Sequence, residues 1–415
     1  MSFPRYPEYK DSGVKWLDGV PAYWEVSPFK RLVEIHNGAD HKHVERDDGY
    51  PVIGSGGLFA YASDYLYDGE SVLLGRKGTI DKPLYVMGKF WTVDTMYWTK
   101  IAQNACGRFV YYAALTIPFN YYSTNTALPS MTKGALNAHA VARPPLEEQT
   151  AIATFLDRET AKIDVLVAEQ QKLIDLLKET RQAVISHAVT KGLDHSAPMK
   201  DSGVEWLGEV PAHWEVVRLG ALFREASDEG REDRPILSVS IHDGVSDREL
   251  DEIELDRTVT RSDDRTKYKC VEPGDLVYNM MRAWQGGFGT VEVPGMVSPA
   301  YVVARPRFDF LTTVIEQQLR TSNAVEEMRR HSRGVTDFRL RLYWDEFKTI
   351  HVVLPPKTEQ LAITSYISHE AGKFDALTAE AQRAIELLKE HRSALISTAV
   401  TGKIDVRSLT ASEAA

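Results

Sequence analysis

Two stretches of the chain carry apolar residues at alternating steps of four and three. The first runs Ile152, Leu156, Glu159, Ile163, Leu166, Gln170, Leu173, Leu177, Thr180, Val184. The second runs Ile363, Ile367, Glu370, Phe374, Leu377, Ala381, Ala384, Leu388, His391, Leu395. This spacing is that of a coiled-coil seam and predicts two long helices. Each stretch follows a proline pair, Pro144-Pro145 or Pro355-Pro356, which favours extended backbone before a helix begins. Neither contains an internal proline, and Gly192 and Gly402 stand where C-terminal stops are expected. Roughly 43 residues at ~1.5 Å each give a rod about 65 Å long if unbroken; the polar steps at Glu159 and Glu370 leave room for a bend or a short leading helix. Neither helix has a wide apolar face, so each needs a partner. The other copy is the obvious one, paired antiparallel if the two modules are related by an approximate two-fold axis. Two helical arms in some other scaffold is the alternative.

The remaining sequence alternates β-branched and aromatic residues with Gly, Pro and Asp, as in Ser71–Arg76, Pro83–Met87, Pro235–Ile241 and Val302–Arg305. These read as short strands and tight turns. Helical patches fall near Ala105–Leu115 and Thr312–Met328, so each of these regions is expected to be an α+β domain.

The chain also repeats itself. Asp11-Ser-Gly-Val-Lys-Trp-Leu-Asp-Gly-Val-Pro-Ala-Tyr-Trp-Glu-Val26 returns as Asp201-Ser-Gly-Val-Glu-Trp-Leu-Gly-Glu-Val-Pro-Ala-His-Trp-Glu-Val216, with four of 16 positions changed. The segment from Pro144 returns from Pro355, aligning Gln149 with Gln360, Asp164 with Asp375 and Arg181 with Arg392. The offset is 190 residues for the first pair and 211 for the second, so the intervening material differs in length. Weaker landmarks survive inside it: Gly69-Glu-Ser-Val-Leu-Leu resembles Gly274-Asp-Leu-Val-Tyr-Asn, and Val93–Tyr97 resembles Val297–Tyr301. The expected organisation is a divergent domain over 1–145, a helical spacer over 146–194, a second divergent domain over 195–355, a second spacer over 356–408, and a flexible tail over 409–415. The fold class is α+β: two globular domains separated by two long antiparallel coiled-coil helices in a pseudo-two-fold repeat. A duplication without functional meaning is the plain reading; two modules that recognise two different things is the sharper one.

Composition narrows the function. Apolar residues make up 43%, a globular value. No apolar run spans a membrane and the first residues lack a secretory h-region, so a cytoplasmic protein is expected. Cys106 and Cys270 alone exclude a disulfide framework or a Cys-rich zinc site. The net charge of −10 argues against nucleic-acid binding by the whole surface. Residues 1–143 hold 15 Lys/Arg against 14 Asp/Glu, and 195–354 hold 21 against 28. Any positive charge that meets DNA must be local, or a partner must supply it. There is no phosphate loop, no dinucleotide fingerprint, no Asn-Pro-Pro-Tyr/Phe tetrad and no Gly-x-Ser-x-Gly elbow in the sequence. His41 and His43 lack accompanying ligands at metal spacing, so solvent exposure is expected for them.

Several motifs together resemble those of the specificity subunits of Type I restriction-modification systems. They are Pro-Pro-x-x-Glu-Gln-x-x-Ile at Pro144 and Pro355, the heptad helices closing on Ala188-Val-Thr-Lys-Gly and Ala399-Val-Thr-Gly-Lys, Gly274–Gly286, Val297–Tyr301, and the Trp-Glu elements after Trp16 and Trp206. The resemblance covers nearly the whole chain. It implies a non-catalytic DNA-recognition subunit in which each divergent domain reads one half of a bipartite target in the major groove. The helices then act as ruler and docking surface, so that changing their length should change the spacing of the half-sites. Double-stranded DNA, two methyltransferase subunits and two restriction/translocase subunits are the implied partners. S-adenosylmethionine, ATP and magnesium are expected on those partners, with neither cofactor nor metal in this chain. A nuclease acting alone and a two-headed scaffold that binds only proteins are the alternatives.

Reading bases requires side chains with paired donors or acceptors. In the first domain the candidates are Arg76, Lys77 and Thr79 in a basic turn after a strand, then Asn125 and Lys133. In the second they are Asn279, Arg282, Trp284 and Gln285, with the arginine-rich stretch Arg330, Arg333, Arg339 and Arg341 for phosphates. Each has a structural alternative: a solvated hairpin at Arg76, a capped turn at Asn279, a self-paired surface for the arginines. Trp16, Trp24, Trp206 and Trp214 are expected to pack the domains onto the helices. Ile152, Leu166, Leu173 and Leu177 of the first helix, and Ile363, Leu377, Leu388 and Leu395 of the second, are the expected seam and partner-facing positions.

Overall fold

The computed structural model describes residues 3–122, 129–241, 244–250, 264–334 and 340–411. Both heptad stretches are single helices, Leu146–Lys191 and Lys357–Val400, of 46 and 44 residues. Neither breaks at the polar step: Glu159 is held by Arg158 and Lys162, and Glu370 by Lys373, along the helix itself. Both end as expected, with Gly192 (φ +81°) and Gly402 (φ +73°) in the left-handed region that a side chain resists.

The chain forms two compact units, residues 1–172 with 382–415, and residues 173–381. Each long helix therefore gives one half to each unit. In the first unit Ile152, Phe155, Leu156 and Ile163 share a core with Leu395, Ile396, Ala399 and Val400. In the second, Ala188 and Val189 share a core with Ile363. Arg392 Nε donates to Asp164 Oδ1 at 3.0 Å, and Arg181 Nε lies 3.7 Å from Asp375 Oδ1. As the first helix advances from 164 to 181, its partner position retreats from 392 to 375, so the two helices pack antiparallel.

The seam runs through Ile163, Val167, Gln170, Ile174, Leu177, Arg181 and Ile185, and through Phe374, Thr378, Ala381, Ile385, Leu388, Arg392 and Ile396. Leu166, Leu173 and Leu377, three of the expected seam residues, lie beside it and are exposed. The reason is that positions 163, 170 and 177 belong to either of two heptad phases, and both flanking stripes are apolar. Ile152, Ile363 and Leu395 are buried, and Leu177 and Leu388 are half-buried.

The first unit is built on a seven-stranded sheet in the order Val33–Asn37, Met96–Ile101, Tyr67–Gly75, Leu84–Thr92, Tyr50–Gly54, Gly57–Ala62, Glu45–Arg46. All neighbours are antiparallel except Tyr50–Gly54 and Leu84–Thr92. The helix Gly107–Ala114 covers one side of it. The second unit has a four-stranded sheet in the order Phe223–Ala226, Tyr301–Pro306, Leu276–Asn279, Phe288–Thr290, covered by Thr312–Leu319 and Ser322–His331. Both units are thus α+β.

The repeat survives in detail. Tyr9–Asp11 pairs with Gly19–Pro21 in the register that Met199–Asp201 adopts with Glu209–Pro211. The turn between those strands needs a positive φ; the second copy uses Gly208 (+59°), and the first tolerates Asp18 (+52°), whose carboxylate meets Lys403.

Candidate nucleic-acid interface

The repeated motifs turn out to be the joint between domain and helix. Pro144-Pro145 and Pro355-Pro356 lead into helices that begin at Leu146 and Lys357, and the acid and amide that follow reach back into the domain. Trp24, fully buried, donates its indole N–H to Glu148 at 3.0 Å, and Tyr6 and Tyr23 donate to the same carboxylate. Trp214 donates to Glu359 at 2.9 Å, with His213 in the place of Tyr23. Gln149 accepts from the backbone N–H of Cys106 and donates to Pro144 O; Gln360 accepts from Leu311 and donates to Pro355 O. Each glutamine thereby satisfies backbone groups at the entry to a domain helix, Gly107–Ala114 or Thr312–Leu319, that would otherwise be buried without partners. Trp206 is buried as well, whereas Trp16 is 45% exposed and stacks on His139 at 5.2 Å.

A second carboxylate in each unit anchors the strand that ends in the candidate reading turn. In the first unit Glu70, within Tyr67–Gly75, accepts from Tyr85 at 2.6 Å; burial and this carboxylate push the Tyr85 hydroxyl pKa up. In the second, buried Asp275 holds Arg305 through two nitrogens, at 3.0 and 2.8 Å, and this bond, partly opposed by burial, keeps the guanidinium pKa above its usual value. Neither anchor was anticipated. Their signal was the acid in second place of Gly69-Glu and Gly274-Asp.

Beyond those strands the two turns occupy equivalent places. Arg76 O accepts from Met131 N at 2.9 Å, and Met280 O accepts from Leu342 N at 2.9 Å. The first turn, Arg76–Thr79, is further tied by Gly78 N to Pro129 O. The second, Asn279–Gln285, is closed by Asn279 Oδ1, which accepts from Met281 N, so this amide oxygen caps its own turn. In each unit the segment entering from the far side, around 129–131 or 340–342, follows a stretch that includes other candidates. Asn125 and Arg339 lie outside the described residues.

Within the first unit Lys77, Thr79 and Lys133 are exposed, and neither lysine has an ion pair among the described residues. Arg76 is half-buried, with Nη1 donating to Asp94 O at 3.2 Å and its guanidinium 5.9 Å from the Tyr97 ring. Within the second unit Arg282, Gln285 and Arg341 are exposed, and neither arginine has an ion pair among the described residues. Trp284 is half-buried beneath Arg329 at 5.7 Å, a packing position on the helix Ser322–His331. Arg330 lies 3.6 Å from both Glu205 and Glu327, and Arg333 pairs with Glu346. Arg333 and Arg341 exchange two backbone hydrogen bonds at 2.9 Å, which sets their side chains on neighbouring chain segments. So each unit presents a turn with an exposed cation, Lys77 or Arg282, at the end of an anchored strand, a geometry that can hold phosphates and reach base edges.

His43 is exposed, but His41 is not: its side chain is 13% exposed and packs edge-on against Phe59 at 5.2 Å. The expectation of exposure failed there because the histidine was judged without the aromatic hairpin that covers it. Among the described residues there is no group of three or more His, Cys, Asp or Glu placed to hold a metal. Among them, too, no helix is long and apolar enough to cross a membrane.

Comparison with known proteins shows what the chain is similar to. Residues 21–174 match the family model of the Type I restriction modification DNA specificity domain. Over 97% of its length the chain is 24% identical to the type I restriction enzyme MjaVIII specificity subunit of Methanocaldococcus jannaschii, spanning 98% of that protein. It is 25% identical to the EcoprrI specificity subunit of Escherichia coli over 28% of the chain, a match that spans 30% of that relative. In fold it resembles the HsdS subunit from Thermoanaerobacter tengcongensis (TM-score 0.51, 13% identity, 93% of this chain and 98% of that one). It also resembles a chain from a structure of type I R-M system assembly and conformational transition (TM-score 0.59, 14% identity, 92% and 98%). Residues 21–174 thus carry the family's DNA specificity domain, and along nearly its whole length the chain is similar to a type I restriction enzyme specificity subunit.

Proposed function

We propose that this chain is the sequence-reading subunit of a Type I restriction-modification complex, with no catalytic site of its own. Its two α+β heads bind the two halves of a bipartite target in double-stranded DNA. Two methyltransferase subunits and two restriction/translocase subunits act where it binds. S-adenosylmethionine, ATP and magnesium belong to those partners, and the assembly works in the cytoplasm.

One observation carries this reading. A similar backbone bond, Met131 N to Arg76 O and Leu342 N to Met280 O, supports a turn with an exposed cation in both heads, Lys77 or Arg282, while the residues on the two turns differ. A duplicated scaffold with unlike tips is what two different half-sites require. A net charge of −10 leaves the phosphate attraction to those local cations and to partner subunits.

The test is binding by the full chain, alone and with its methyltransferase subunit, to random duplexes and to duplexes selected for retention. Selection of a two-part motif by the complex is expected. Cleavage of plasmid DNA by the chain alone with magnesium would favour the solitary nuclease. Retention of the methyltransferase with no DNA preference would favour a protein scaffold.

A further inference from the structure

The hairpin between Tyr50–Gly54 and Gly57–Ala62 leaves two neighbouring apolar side chains in solvent, Leu58 at 55% and Phe59 at 57% exposure. They are not slack. The Phe59 ring lies across Gly54, where a Cβ would come within 3.2 Å of it, and the His41 ring meets it edge-on. Gly57 takes φ +100° with open space around its missing side chain, so it serves the tight turn rather than packing.

The hairpin shares a support with the basic turn of the same unit. Ile53 O accepts from Thr92 Oγ1 at 2.8 Å and Val93 N at 3.4 Å. Two residues on, Thr95 O accepts from Arg76 N at 2.9 Å and Lys77 N at 3.2 Å, and Asp94 O accepts from the Arg76 guanidinium. The segment Thr92–Thr95 is thus gripped on one side by the hairpin and on the other by the cationic turn. Among the described residues of the second unit, the hairpin of Leu237–Ser240 with Gly244–Glu249 shows no such exposed pair: Val245 packs on the core, and Ser246 Oγ accepts from Ser238 N and donates to Arg248 O.

We propose that Leu58 and Phe59 are the apolar base-reading pair of the first head. They seat against thymine C5-methyl groups in the major groove, while Arg76 and Lys77 hold the adjoining phosphates. The cationic turn that bonds to the same Thr92–Thr95 segment as the hairpin favours a nucleic-acid occupant over a protein one. The inference rests on the function proposed above and adds to it a base chemistry confined to one half-site.

The test uses the full chain assembled with its methyltransferase subunit and a duplex carrying the selected motif. Each thymine in turn is replaced by deoxyuridine, which keeps every hydrogen bond and removes only the methyl group. In one half-site, at least one replacement should weaken binding by about tenfold. Phe59→Ala should abolish that contrast and relax that base pair, Phe59→Leu should keep part of it, and the other half-site should be unaffected. Equal contrast in Phe59→Ala and the parent overturns the proposal, as does a parent complex blind to the methyl groups of both halves. Loss of the methyltransferase in Phe59→Ala with the DNA contrast intact assigns the pair to a protein contact and overturns it too. A parent complex with no two-part preference refutes the underlying function instead.

Discussion

The Nε of Arg392 donates to Oδ1 of Asp164 at 3.0 Å, joining the C-terminal half of the second long helix to the N-terminal half of the first. Its repeat counterpart, Arg181 with Asp375, stands at 3.7 Å. Both pairs are half-exposed, so screening keeps each near 0.5 kcal/mol. Asp164→Ala should cost about that much in urea unfolding, and a double-mutant cycle with Arg392→Ala should give a coupling that fades in high salt.

The buried carboxylate of Glu148 matters far more. It accepts from Trp24, Tyr6 and Tyr23, and Glu148→Ala strands the buried donors of Trp24 and Tyr6 without water. A loss of about 2–4 kcal/mol is expected by denaturant unfolding. Glu359→Ala removes a more exposed acceptor with two partners and should cost less.

The seam can be checked with neighbouring residues on one helix. Ile174 is 3% exposed and Leu173 is 43% exposed. Ile174→Ala should cost about 2–4 kcal/mol and Leu173→Ala less than about 1. Equal losses would place the seam in the other phase.

Acid should loosen the first unit through His139. Burial between Trp16 and Tyr122 lowers its pKa to about 4, against 6.5 unfolded. The unfolded chain therefore binds the proton first. Stability is complete above pH 6.5 and falls as the pH drops toward 4, by at most about 1.4 kcal/mol per pH unit. Histidine titration followed by NMR checks the pKa, and His139→Gln should flatten the pH dependence of unfolding over that window.

Much of this was readable from the residues. The four-three spacing fixed the helices, and Gly192 and Gly402 marked their ends, because backbone geometry imposes those patterns locally. The pairing of the two copies followed from the repeat alone. The phase of the seam did not, since Leu166 and Val167 are equally apolar and only the partner helix decides between them. The joint at Glu148 and Glu359 was visible as a repeated motif, but its purpose was not, because its indole partners lie about 120 to 150 residues away in sequence. The strand order of the first unit, with its one parallel pair, likewise depends on non-local pairing that strand-like composition does not specify. The candidate turns stand out in sequence as cations after strands; the hairpin at Phe59 does not, because only the fold ties it to the segment that also holds Arg76.

Two independent readers in one chain is the claim on which the account turns, and mapping of methylated adenines in cells that carry this protein with its methyltransferase tests it most directly. The parent should yield one motif in two parts. Arg76→Ala with Lys77→Ala should blur one part only, and Arg282→Ala the other part only. A single uninterrupted motif, or blurring of both parts by either variant, would contradict it.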